Sequence, residues 1–103
     1  MKVIWKLQAK MARLQIAAYI LNRFGENSKK EFLLETSDTI RLLKINPYMA
    51  SIDPLFEERA KTYRSIIINR RSKMVYYIED ETIYIAAFWD CRKDPTNQAA
   101  QVK

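Results

Sequence analysis

From Leu7 onward apolar side chains return at Leu7, Met11, Leu14, Ala18 and Leu21. That i, i+4, i+7, i+11, i+14 spacing lines one side of an α-helix. Lys6, Lys10, Arg13 and Arg23 fall mostly elsewhere, so the pattern predicts an amphipathic helix ending near Gly25, the chain's single glycine. A glycine just past the last periodic residue suits a left-handed helix cap, because it has no Cβ to clash. Ser28 and Glu31 then have the spacing of a capping box. Phe32, Thr36, Ile40 and Leu43 mark one face of a second helix that should stop before Pro47. The two helices are expected to form an antiparallel hairpin.

Ahead of the hairpin, Lys2 to Trp5 are short and β-prone and predict a first strand. Asn46 to Pro54 hold two prolines, Asn46, Ser51 and Asp53, a composition that favours a connecting loop. From about Thr62 the period changes. TYRSIII, KMVYYIE and TIYIAAFW are rich in β-branched and aromatic residues and are separated by NRRS and by DE, which predicts three antiparallel strands. In the first of them Arg64, Ile66 and Ile68 share one face and Tyr63, Ser65 and Ile67 the other. The expected fold is therefore α+β: an N-terminal strand, a helical hairpin, then a three-stranded meander completing a mostly antiparallel sheet. Residues 1–95 are expected to form one domain, with 96–103 a tail that has little to bury.

Composition narrows the chemistry. Apolar residues make up 49% of 103 residues and charged residues 29%, a balance that supports one folded core. The absence of histidine excludes histidine triads and HExxH zinc sites, leaving Arg, Lys, Tyr, Asp or Glu for any catalysis. Cys91 stands alone, so no intrachain disulfide can form, and a reduced cytoplasm is the expected compartment. Lys6, Lys10 and Arg13 interrupt the N-terminal apolar stretch, so neither a secretory h-region nor a membrane span is expected. No metal-ligand cluster or cofactor motif occurs.

The formal charge is +6, which favours phosphate backbones or an acidic protein as partners. Its densest source is Arg59, Lys61, Arg64, Arg70, Arg71 and Lys73, a stretch without one acidic residue and close to Tyr63, Tyr76 and Tyr77. Cations interleaved with aromatics suit RNA, whose phosphates and unpaired bases they hold. The plain structural alternative is that Arg70 and Arg71 occupy an exposed turn and the rest are solvated. Arg92 and Lys93 form a second basic point that could converge with Arg64 and Lys73. Alternatively Arg92 pairs with Asp90 or Asp94 at the surface. Cys91 beside them reads as packing rather than as a nucleophile.

The order strand, two helices, three strands, carried by particular phrases, resembles the RelE/ParE superfamily of type II toxin–antitoxin toxins, which includes plasmid stabilisation proteins. Those phrases are VIW in the first strand, Tyr19-Ile20, RFGE from Arg23 to Glu26, and Asn46-Pro47. The longest is YRSIIINRRSKMVYYIEDETIYIAAFWDCRKDP, similar to the family's arginine-led strand, its V-Y-Y and I-x-I strands and its closing H-x-R-R-D-P phrase. Asp90 stands where that closing phrase has histidine.

The resemblance implies a cytoplasmic growth-arresting toxin, hetero-oligomeric with a cognate antitoxin and free of cofactors. In the ribosome-dependent branch, an mRNA endoribonuclease without a metal, Arg64, Lys73 and Arg92 match the basic residues around the cut. A second basic residue near Ile66 and a late tyrosine are missing. The chemistry there would be attack of a ribose 2′-hydroxyl on its phosphate, with cations stabilising the developing charge. The long hairpin and incomplete basic set are more similar to the ParE branch, linked to DNA gyrase. Arg59, Lys61, Arg70, Arg71 and Lys93 are candidate contacts to nucleic acid or to the target in either branch. A degenerate, non-toxic binding module is the remaining expectation.

Overall fold

A computed structural model describes residues 1–90 of the chain. In order these form β1 (Lys2–Trp5), α1 (Leu7–Phe24), α2 (Glu26–Ile45), β2 (Ser51–Ile52), a 3-10 turn (Pro54–Phe56), β3 (Arg64–Ile68), β4 (Ser72–Glu79) and β5 (Thr82–Asp90). The strands make one five-stranded sheet in the order β1-β5-β4-β3-β2. β1 runs parallel to β5, with Lys2 opposite Thr82 and Trp5 opposite Ile85, and every other pairing is antiparallel. The expected α+β arrangement is present, with one addition. Ser51 and Ile52, expected in a loop, pair with Ser65 and Arg64 as a two-residue edge strand.

Gly25 alone links the helices. Its φ of 93° and ψ of −178° lie in a region that only glycine occupies without strain, rather than in the expected left-handed helical region. Its N–H donates to the Leu21 carbonyl at 3.0 Å, and its own carbonyl accepts from Lys29 N–H at 3.2 Å. The second helix therefore starts at Glu26. Ser28, read as a cap, lies inside the first turn, and its hydroxyl donates back to the Phe24 carbonyl.

The hairpin covers one face of the sheet. Ala9, Ala17 and Ile20 of α1 and Phe32 and Leu43 of α2 pack with Ile68, Met74, Tyr76, Ile83, Ile85 and Phe88. Phe32 meets Phe88 edge-on at 5.8 Å between centroids, and Trp5 also stacks on Phe88. Thr36 belongs to the same buried face, its hydroxyl satisfied by the Phe32 carbonyl at 2.8 Å. The face expected for the second helix is thus the buried one. For the first helix it is not. Leu7, Met11 and Leu14 are 70%, 51% and 57% exposed, and the side turned to the sheet carries alanines instead. Those small side chains let the α1 backbone lie close against β5.

A bulge in β5 sets what each sheet face carries. Val75 pairs with Ala87 and Tyr76 with Ile85, leaving Ala86 as the extra residue. Ile83 and Ile85 point to the helices, and after the bulge the parity switches, so Phe88 points there too while Trp89 turns to the opposite face.

Candidate functional site

The sheet face away from the helices carries a second, aromatic layer of Phe56, Tyr63, Tyr77, Tyr84 and Trp89. Side-chain alternation puts Tyr63, Val75 and Tyr77 on this face, and the bulge adds Trp89. Tyr77 and Tyr84 stack at 5.0 Å with planes 15° apart, and Tyr63 meets Tyr77 edge-on at 5.5 Å. Phe56 folds over Tyr63 and Trp89 because Pro54 starts a 3-10 turn whose first free N–H, from Leu55, donates to the Asp53 carboxylate at 3.0 Å.

Cations surround this layer. Lys61 lies over the Tyr77 ring at 4.7 Å and pairs with Glu79, whose carboxylate holds the ammonium above its ordinary pKa. Lys6 lies 5.9 Å from the Tyr84 centroid and Arg59 5.7 Å from that of Phe56. Lys73 reaches over Trp89 at 5.6 Å and pairs with Asp53 at 2.5 Å.

Asp53 is only 4% exposed. Burial alone would push its carboxyl pKa up. The bond from Lys73, the Leu55 N–H, the Ser65 hydroxyl and the nearby charge of Lys73 together outweigh burial and hold it below the usual value. The Tyr63 phenol is raised, first by burial and then by the neighbouring Tyr77, which leaves it protonated at neutral pH.

Arg64 belongs to the other side of the sheet. It pairs in register with Tyr76, a residue of the helix-side core, whereas Lys73 pairs with Ile67 across the aromatic side. Its guanidinium donates to the Ala50 carbonyl at 2.7 Å and lies 5.2 Å from the Tyr48 ring. Tyr76 donates to the Pro47 carbonyl at 2.7 Å beside it, so the two side chains tie the segment after α2 to the sheet. Burial pushes the Tyr76 phenol up more than the Ala50 backbone and Arg64 lower it.

Arg64 and Lys73, which the sequence suggested could converge, thus stand on opposite faces. Arg70 and Arg71 occupy the exposed turn between β3 and β4, with Arg71 over the Phe24 ring at 5.3 Å. Arg92, Lys93, Cys91 and the 96–103 tail lie outside the described residues. Asp53 was missed as a site-building residue in the sequence, and Tyr76 was read there only as an aromatic beside the basic stretch. The Asp53-Pro54 dipeptide signalled a turn but not its lysine partner. Among the described residues no group of acidic or sulfur ligands could hold a metal ion, and no helix is long and apolar enough to cross a membrane.

No protein-family model matches the chain, and no curated protein sequence matches it. Solved structures do. A chain of the chromosomal ParDE TA system from P. aeruginosa superposes with a TM-score of 0.70 at 13% identity, covering 87% of this chain and 95% of that one. The YoeB dimer from Staphylococcus aureus gives 0.57 at 19% identity, covering 84% and 92%. A strand, a helical hairpin and an antiparallel meander shared over nearly the full length define a class of small α+β domain. The architecture is the RelE/ParE-like fold.

Proposed function

We propose that this chain is the toxin of a type II toxin–antitoxin system, arresting growth until a cognate antitoxin covers it. The observation that carries this reading is the fold shared over 95% of a chain from a ParDE TA system. The basic balance of +6 agrees with an acidic neutralising partner.

Within that class we favour a toxin that binds and poisons DNA gyrase over a ribosome-dependent nuclease. RNA cleavage by cations needs them gathered around one phosphate. Here Lys73 is committed to Asp53 and Arg64 to the Ala50 carbonyl, on opposite faces of the sheet. The Tyr63 phenol, raised by burial, is a poor proton acceptor at neutral pH.

Induced expression without a partner, followed by pulse-labelling of DNA and protein synthesis, tests both levels. DNA synthesis is expected to fall first. A prior fall in protein synthesis, abolished by Lys73→Gln, would replace the gyrase reading with the nuclease one. Unimpaired growth would leave the degenerate binding module.

A further inference from the structure

The tip of the helical hairpin and the turn between β3 and β4 meet at one end of the molecule. Arg71 lies over the Phe24 ring at 5.3 Å, Phe24 meets Tyr19 edge-on at 6.5 Å, and Arg23 lies 5.9 Å from the Tyr19 centroid. Both rings are half-exposed, and Arg23 and Arg71 are exposed beside them. Arg70, also exposed, adds a third guanidinium from the second position of a tight two-residue turn, in which Arg71 N–H donates to the Ile68 carbonyl at 3.3 Å. The two segments are far apart along the chain, so only the fold brings these arginines together.

Charge and geometry together select the partner. Elsewhere Lys61 is neutralised by Glu79, Lys73 by Asp53 and Arg41 by Asp38. Among the described residues no carboxylate stands within ion-pair distance of Arg23, Arg70 or Arg71. Lys29 and Lys30 near the start of α2 balance Glu26 and Glu31, and Asp90 ends β5 opposite Ser72, so the arginines leave this end cationic. The planar fork of arginine suits phosphate oxygens. Tyr19 and Phe24 each already carry a guanidinium, so the rings hold cations in place rather than offering platforms to unpaired bases. That favours backbone phosphates, which a duplex presents more densely than a single strand.

We propose that the arginine cluster at the hairpin tip binds the phosphate backbone of duplex DNA without reading its sequence. The two rings fix two of the guanidiniums in advance, which lowers the ordering cost of each phosphate contact. Contacts of this kind release counterions, so binding weakens steeply as salt rises. The inference is independent of the toxin reading. Unimpaired growth on expression leaves it standing, and a failure to bind DNA leaves the toxin reading standing.

Fluorescence anisotropy of the purified full chain with a labelled duplex of about 20 base pairs, repeated at several salt concentrations, tests it. At about 50 mM salt a Kd on the order of 10 μM is expected, similar for unrelated sequences. Arg70→Gln with Arg71→Gln should weaken binding about tenfold and reduce the slope of log affinity against log salt by about 0.9 for each arginine removed. Lys10→Gln with Lys44→Gln removes the same charge from the opposite end of the hairpin and should have little effect. Phe24→Leu keeps every charge but frees Arg71, and should weaken binding about threefold with the slope unchanged. All variants are expected to keep the wild-type circular dichroism spectrum, because these side chains lie on the surface. The absence of binding overturns the proposal, as does an equal loss in the Lys10 and Lys44 variant. Tighter binding to the matching single strand assigns the cluster to unpaired bases and overturns it too. Displacement of the duplex by polyglutamate at equal charge does the same in favour of an acidic protein.

Discussion

Asp53 and Lys73 show how one residue can decide what another does. The buried carboxylate caps the 3-10 turn and holds the lysine above Trp89, so the pair positions the aromatic layer as well as neutralising itself. Asp53→Asn would leave the Lys73 ammonium half-buried without its counter-ion, a loss of about 2 kcal/mol for a pair not fully desolvated. Because the folded-state pKa of Asp53 is below its unfolded value, that contribution is complete above the unfolded value of about 4 and disappears as pH falls through the lower folded value. Urea unfolding of both proteins at pH 7 and in acid checks this, the difference shrinking at the acid end. On the other side of the sheet, Tyr76→Phe leaves the Pro47 carbonyl without its donor and should cost about 1 kcal/mol in the same assay. Neither partnership could be read from the sequence. Asp53 and Lys73 are far apart along the chain, and the fold alone brings them together.

The elements themselves were largely legible, because β-branched and aromatic runs between turn signals leave little ambiguity. The strands Arg64–Ile68, Ser72–Glu79 and Thr82–Asp90 fall within a residue or two of the expected segments. What periodicity could not supply was which side of α1 faces inward. Leu7, Met11 and Leu14 outweigh Ala9 and Ala17 in hydrophobicity, yet close packing against β5 selects the small side chains. β2 escaped because two residues carry no period. Both hairpin turns are also sequence-unfavourable. Asn69 and Arg70, and Asp80 and Glu81, all have φ between 52° and 60°, the positive values of a type I′ turn, with no glycine at either second position. Asn and Asp tolerate that conformation, whereas arginine and glutamate are strained in it. Glu81→Gly is therefore expected to stabilise the domain by about 0.5–1 kcal/mol, read as a raised denaturation midpoint with an unchanged slope.

At the scale of the whole molecule, the sheet is closed by its least local contact. β1 pairs with β5 at a separation of about 80 residues, while β3, β4 and β5 pair with their sequence neighbours. The meander is expected to form first and β1 to dock late. Val3→Ala should then speed unfolding and leave the refolding rate nearly unchanged, a result that chevron kinetics would show. The same pairing ties the fold to the clock of translation. At 5–20 residues per second, Val3, Ile4 and Trp5 leave the peptidyl-transferase centre roughly 4 to 16 seconds before the strand they need has been made. The nascent chain thus carries an apolar β-strand without its template for seconds, and Trp5 cannot reach Phe88 until synthesis has passed that residue. Any action that needs the finished sheet is deferred until β5 has been made.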